Sequence, residues 1–129
     1  CAVLAICLYG QARCNLAFFD PLSYKLGVFD LDGWSVTHLC LFTFLGTHAR
    51  NTQDLVNLWL CGLLWEAIEH LMGKSRPSWL GGWANCTNPN AKSEFVGAWW
   101  FGRFSDLIVN AIGLGIGYYI SKKTETISK

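Results

Sequence analysis

The sequence predicts an all-α protein: a polytopic integral membrane helical bundle of three to four transmembrane helices, forming a single membrane-embedded domain over residues 1–129. Three observations predict it. Apolar residues make up 52% of the chain and charged residues 15%, the mean hydropathy is +0.28, and seven residues are Trp, a balance too apolar for a small water-soluble domain. Three segments approach the roughly 20 apolar residues that cross a hydrocarbon core of about 30 Å. Irregular stretches rich in Pro, Gly and Trp separate them, as expected at the headgroup level.

The elements follow in chain order. CAVLAICLYG opens the chain without a Met and reads as the remainder of a signal sequence or the second half of a first transmembrane helix. DPLSYKLGVFDLDG, with Pro21, Gly27 and Gly33, is a loop or interfacial segment. GWSVTHLCLFTFLGTHA, residues 33–49, is the first complete apolar segment. QDLVNLWLCGLLWEAIEHLM, residues 53–72, follows a short polar joint, repeats Leu, Trp and Ile at helical spacing, and is expected to stop at KSRP. Around the next irregular stretch, RPSWLGGWANCTNPNAKSE, the rings of Trp79, Trp83, Trp99 and Trp100 suit an interface. Its Asn85-Cys86-Thr87 sequon matters where that loop faces a lumen. FVGAWWFGRFSDLIVNAIGLGIGYYI, residues 95–120, is the longest segment and is expected to end at SKK.

Charge excludes one class of partner. Ten Lys and Arg face nine Asp and Glu for a net charge of +1, with no block of like charge before SKK, so nucleic acid is not an expected partner. Orientation stays open: single crossings by the three segments place Arg50, Lys122, Lys123 and Lys129 on one side and Lys25, Lys74, Arg76 and Lys92 on the other. The six cysteines show no metal-type spacing. Five lie in apolar stretches, where Cys is expected to be a small, buried packing residue rather than part of a disulfide framework.

The ionisable residues carry the functional expectation. His38, Glu66, Glu69, His70, Arg103, Asp106 and Asn110 fall inside apolar segments, where a central charged residue costs about 2.5 to 3.5 kcal/mol to insert. They are expected to converge inward on one another, on water or on an ion. Glu66 and Glu69 are three apart, Glu66 and His70 four apart, and Asp106 and Asn110 four apart, so each set shares a helix face. Gly113 and Gly117 extend the Asp106 and Asn110 face into a small-residue stripe against which another helix can pack closely. Two carboxylates facing a carboxylate and an amide make an all-oxygen set of the kind a hard divalent cation takes: Ca²⁺, Mg²⁺ or Mn²⁺. The metal ligands read from this pattern are Glu66, Glu69, Asp106 and Asn110.

Structural roles compete with each of these. Glu69 and His70 lie near a helix end, within snorkelling distance of water. Glu66 and Arg103 can tie two helices together, Asp106 and Asn110 can do so by hydrogen bonds, and the glycines can serve packing alone. Arg50 and Asp54, four apart, suit a surface helix pair. His38 on its own is a structural histidine; its position one segment before the glutamates is what makes it a catalytic candidate.

SVTHLCLFTFLGTHARNTQDLVNLWLCGLLWEAIEHL followed by AWWFGRFSDLIVNAIGLGIGY resembles the core of the eukaryotic base-exchange phosphatidylserine synthases over roughly residues 35–118. In that family a Ser-His or similar element precedes a helix with two Glu residues three apart, then a Trp pair, an Asp six residues on, and an Asn- and Gly-rich helix. The chain also resembles small bacterial membrane proteins of the VanZ-like kind, through Trp-Glu-x-x-Glu and Asp-x-x-x-Asn. It departs from the synthases at Phe101, where an acidic residue is expected, and in the four-residue step from Asp106 to Asn110.

The resemblance implies Glu66, Glu69 and Asp106 as ligands of a Ca²⁺-like ion, Asn110 as a ligand or orienter, and His38 as general base. It further implies metal-dependent phospholipid head-group exchange or a related phosphoryl transfer, with membrane phospholipids as partners. The location it implies is an integral membrane protein of the endoplasmic reticulum or another organelle if the source is eukaryotic. The alternative is a non-catalytic subunit that packs its Trp-rich faces and glycine stripe among other membrane subunits. A lipid- or lipophilic-drug-binding protein of the VanZ-like kind is a third.

Overall fold

The computed structural model describes residues 31–75 and 102–127, the stretches 21–24 and 26–27, and positions 4, 5, 8–10, 12 and 16. Among the described residues regular structure is helical and no strand occurs. A 3-10 turn at Pro21–Ser23 precedes three long helices: α1 (Gly33–His48), α2 (Thr52–Ser75) and α3 (Phe104–Ile127). The chain divides into two compact units, Cys1–Pro21 with Ala67–Gly102, and Leu22–Glu66 with Arg103–Lys129. In the first, the described positions before Pro21 are helical, in keeping with a helix in CAVLAICLYG, and the end of α2 runs to Ser75.

The second unit shows how local chemistry starts each helix. Gly27 bends the chain at φ +92°, a region open to glycine, and Leu26 N–H donates to the Leu31 carbonyl at 2.7 Å. Asp32, in extended backbone, then caps α1. Its Oδ1 accepts from Ser35 N–H at 3.1 Å while Ser35 Oγ accepts from Asp32 N–H at 3.4 Å, a reciprocal capping box. Such a cap contributes about 1 kcal/mol. At the other end Ala49 is extended and ends α1. Asn51 Oδ1 accepts from Asp54 N–H, and Asp54 Oδ2 from Arg50 N–H, each at 2.9 Å, which starts α2. The expected Arg50 and Asp54 pair is therefore joined through the Arg50 main chain.

Packing in this unit follows the polar and small residues. Ser35 meets Asp106 and His38 meets Asn110; a Cβ on Gly113 would meet the Leu39 carbonyl at 2.9 Å, and one on Gly117 would collide with the Thr43 carbonyl. Partner numbers rise together along both helices, so α1 and α3 run parallel. Against α2, His38 faces Glu66 and Phe42 faces Gly62, partners whose numbers move in opposite senses, as in an antiparallel hairpin. The glycine stripe thus receives α1 as its spacing predicts. Gly46 reciprocates, its missing Cβ leaving room for the Leu114 carbonyl.

The sorting of side chains is the reverse of a water-soluble domain. Among the described residues, the buried apolar side chains are Phe42, Ala49 and Leu114, whereas Asp32, Ser35, Glu66, Asp106 and Asn110 are buried polar ones. Val56, Leu60, Leu63, Leu64, Ile68, Ile108, Ile112 and Ile116 are exposed. Residues Thr52–Lys74 and Phe104–Ile127 form two helices long and apolar enough to cross a membrane. At 24 residues each, α2 and α3 are about 36 Å long; α1, with 16, is about 24 Å.

Some sequence expectations shift. SKK does not end the last helix: α3 continues to Ile127 because Lys, Thr and Glu remain compatible with a helix and Lys122 pairs with Glu125 at 3.1 Å. Its start lies at Phe104, after Gly102 and Arg103. The second helix, by contrast, ends at Ser75, within KSRP as expected. Cys40 and Cys61 are free and exposed rather than buried, sharing the outer faces with the apolar residues. The sequon at Asn85, the Trp residues at 79, 83, 99 and 100, and Phe101 lie outside the described residues.

Candidate functional site

Two clusters of buried polar groups form along the α1 and α3 contact. The first gathers at the start of α1. Arg103 Nη1 donates to Asp32 Oδ2 at 2.6 Å, the other Asp32 oxygen caps Ser35, and Ser35 Oγ donates to Asp106 Oδ1 at 2.6 Å. A carboxylate held by a guanidinium and a backbone N–H has its charge answered on both oxygens. The cluster continues the capping box: the residues that begin α1 also grip the first turn of α3.

The second cluster lies one helical turn further on. His38 Nδ1 is 3.0 Å from Asn110 Oδ1 and 3.6 Å from Glu66 Oε1, and its ring stacks over Phe42 with centroids 6.3 Å apart. Asn110 is wholly buried and Glu66 is 5% exposed. Glu66 Oε2 accepts from the main-chain N–H of Arg103 at 2.8 Å, but buried Oε1 accepts no hydrogen bond, and Asn110 Nδ2 donates none. Buried polar atoms are paired in the great majority of proteins, so two such atoms in one small space mark it as unusual. Gly62 shapes its wall: a Cβ there would stand 2.8 Å from the Phe42 ring and 3.0 Å from Asn110 Nδ2. Beside it, Trp59 Nε1 donates to the Leu107 carbonyl at 3.2 Å, linking α2 to α3.

A cation fits the donors found here. His38 and Glu66 each offer a ligand atom, His38 Nδ1 lying 3.6 Å from Glu66 Oε1. Glu69 follows Glu66 by three residues on the unbroken α2, so the helix itself carries it to the same face. The group that could hold a metal therefore includes an imidazole. An anionic Oε1 without a donor is the atom a cation would satisfy.

The remaining expected site residues fall as follows. Asp106 and Asn110 are both buried on one face of α3, with Asp106 bonded to Ser35 and Asn110 facing His38. The expected tie from Glu66 to Arg103 exists, but through the Arg103 amide, while the guanidinium goes to Asp32. His70 is exposed near the end of α2, where snorkelling is expected. Asp32, Ser35 and Gly62 were not singled out by sequence as site residues. Asp before an apolar run is an N-cap signal, legible for Asp32, whereas Ser35 stands where a capping box usually has Glu or Gln. Compared with known protein families, characterised proteins and solved structures, the chain matches none.

Proposed function

We propose that the protein is an integral membrane enzyme of metal-dependent phospholipid head-group exchange or a closely related phosphoryl transfer, built as a bundle of three to four transmembrane helices. The observation that carries this reading is a buried imidazole beside a buried carboxylate with one unanswered oxygen, set among helices whose outward faces are apolar. A purely structural core has no need for an unpaired charge at such cost.

Glu66 and Glu69 would hold the cation, with Asp106 and Asn110 completing the polar lining. When bound, a divalent cation offsets negative charge on the phosphodiester oxygens. His38 receives the proton of an incoming head-group hydroxyl as its oxygen bonds to phosphorus. The bond from phosphorus to the outgoing head group then breaks, and that alcohol leaves with the proton returned from His38. In this reading the partners are membrane phospholipids; the apolar outward faces support a bilayer setting, and the resemblance to the base-exchange synthases points to the endoplasmic reticulum or another organelle membrane in a eukaryote.

The test is a head-group exchange assay in phospholipid vesicles with labelled serine, ethanolamine or choline and added divalent cation. Wild-type protein is expected to incorporate label, and His38→Ala, Glu66→Ala and Asp106→Asn to lose at least about a hundredfold in rate while still inserting. Equal turnover in all three variants overturns the reading. A non-catalytic subunit is favoured instead by one feature: only 11% of the apolar window in α2 is buried, leaving a long face for another subunit. Copurification with a defined set of membrane subunits, without exchange activity, would establish that alternative.

A further inference from the structure

We infer that Asn110 is a positioning residue that fixes the tautomer of His38, keeping the hydrogen on Nδ1 and leaving Nε2 as the nitrogen that does chemistry. The inference rests on the proposed role of His38 as base and deepens it by naming the atom.

Both groups that face Nδ1 are acceptors. Asn110 Oδ1 lies at 3.0 Å and can only accept. Glu66 Oε1 stands at 3.6 Å, and an imidazole lone pair turned toward a carboxylate would be repelled in so dry a place. Both neighbours favour a hydrogen on Nδ1, but only Asn110 stands at hydrogen-bond distance, so it is the one that imposes it. This is the reverse of the Nε2–H form that dominates in free histidine, so the surroundings must impose it.

The amide that imposes it is itself held. Asn110 is fully buried on α3, between α1 on one side and the glycine gap of α2 on the other. Gly62 brings α2 so close that an added Cβ would sit 3.0 Å from Nδ2. Phe42 stacks on the imidazole and limits its rotation. A base whose proton-bearing nitrogen is fixed by an outer partner presents the other nitrogen in one orientation, as the positioning acid does for histidine in hydrolase triads.

The experiment uses full-length protein in lipid micelles, labelled with ¹⁵N-histidine and observed at alkaline pH where neutral imidazole prevails. Subtracting the spectra of His48→Gln and His70→Gln assigns His38. Its Nδ1 is expected to resonate as a protonated nitrogen and Nε2 as an unprotonated one. His48 serves as an internal standard, since its Nδ1 faces the Phe44 carbonyl at 2.9 Å, independently of Asn110. Asn110→Ala is expected to return His38 mainly to the Nε2–H form, and Asn110→Asp, which keeps an acceptor, to retain Nδ1–H.

In the exchange assay Asn110→Ala is expected to lower kcat at least about tenfold with KM little changed, and Asn110→Asp to recover most of it. A wild-type His38 in the Nε2–H form overturns the inference, whatever the variants do. So does an unchanged Nδ1–H form in a folded Asn110→Ala. The expected tautomer together with absent exchange activity leaves the positioning intact and overturns the enzyme reading instead.

Discussion

The two buried polar clusters are neighbours on the same helices, yet one is saturated and the other is not. Around Asp32, every bond seen at one residue is returned by another: Arg103 answers Asp32, Asp32 answers Ser35, and Ser35 answers Asp106. Around His38, a carboxylate oxygen and an amide nitrogen are buried without partners. The difference separates what holds the helices together from what is kept available. Saturated groups stabilise by their pairing, whereas an unanswered carboxylate costs stability that a bound cation would restore.

Substitutions can break or sharpen that contrast. The largest effect is expected from Asp32→Ala, which removes the α1 cap and leaves the Arg103 guanidinium without its carboxylate partner. A loss of about 3 to 5 kcal/mol should appear as a sharply lowered unfolding midpoint in micelles. A loss below about 1 kcal/mol would erase the distinction between the clusters. Gly62→Ala comes next: its Cβ presses on Phe42 and Asn110, and overpacking of this kind costs about 1 to 3 kcal/mol. The same unfolding measurement reads it. Smallest is Glu66→Gln, which keeps an oxygen for the Arg103 amide and removes the unanswered charge. Stability without cation should rise by about 1 kcal/mol, the relief of the charge being partly offset by the new amide N–H, while stabilisation by added divalent cation disappears. A cation-dependent midpoint that survives in Glu66→Gln would place the ion elsewhere.

Much of this was legible beforehand because helical spacing is a local property. The apolar runs mark the helices, the four-residue step from Asp106 to Asn110 marks a shared face, and Gly113 with Gly117 marks where another helix approaches. What spacing cannot give is the register between helices. It therefore could not show that the parallel packing of α1 and α3 brings Ser35 to Asp106, or that the packing of α1 on α2 brings His38 to Glu66. The end of α3 departs from expectation for a related reason: lysines and serines along a helix mark a change of surroundings, not a loss of helix. Cys40 and Cys61, expected inside, lie outside because an apolar exterior welcomes them as readily as a core.

Arg103 divides its labour between two carboxylates, offering its side chain to Asp32 and its peptide nitrogen to Glu66. Any amino acid but proline supplies the second of these. Position 103 can thus drift through many identities and still leave Glu66 moored, while giving up the ion pair with Asp32. A survey of side-chain replacements there would report on anchorage of α1 and stay silent about the carboxylate; Arg103→Pro is the change that speaks to it.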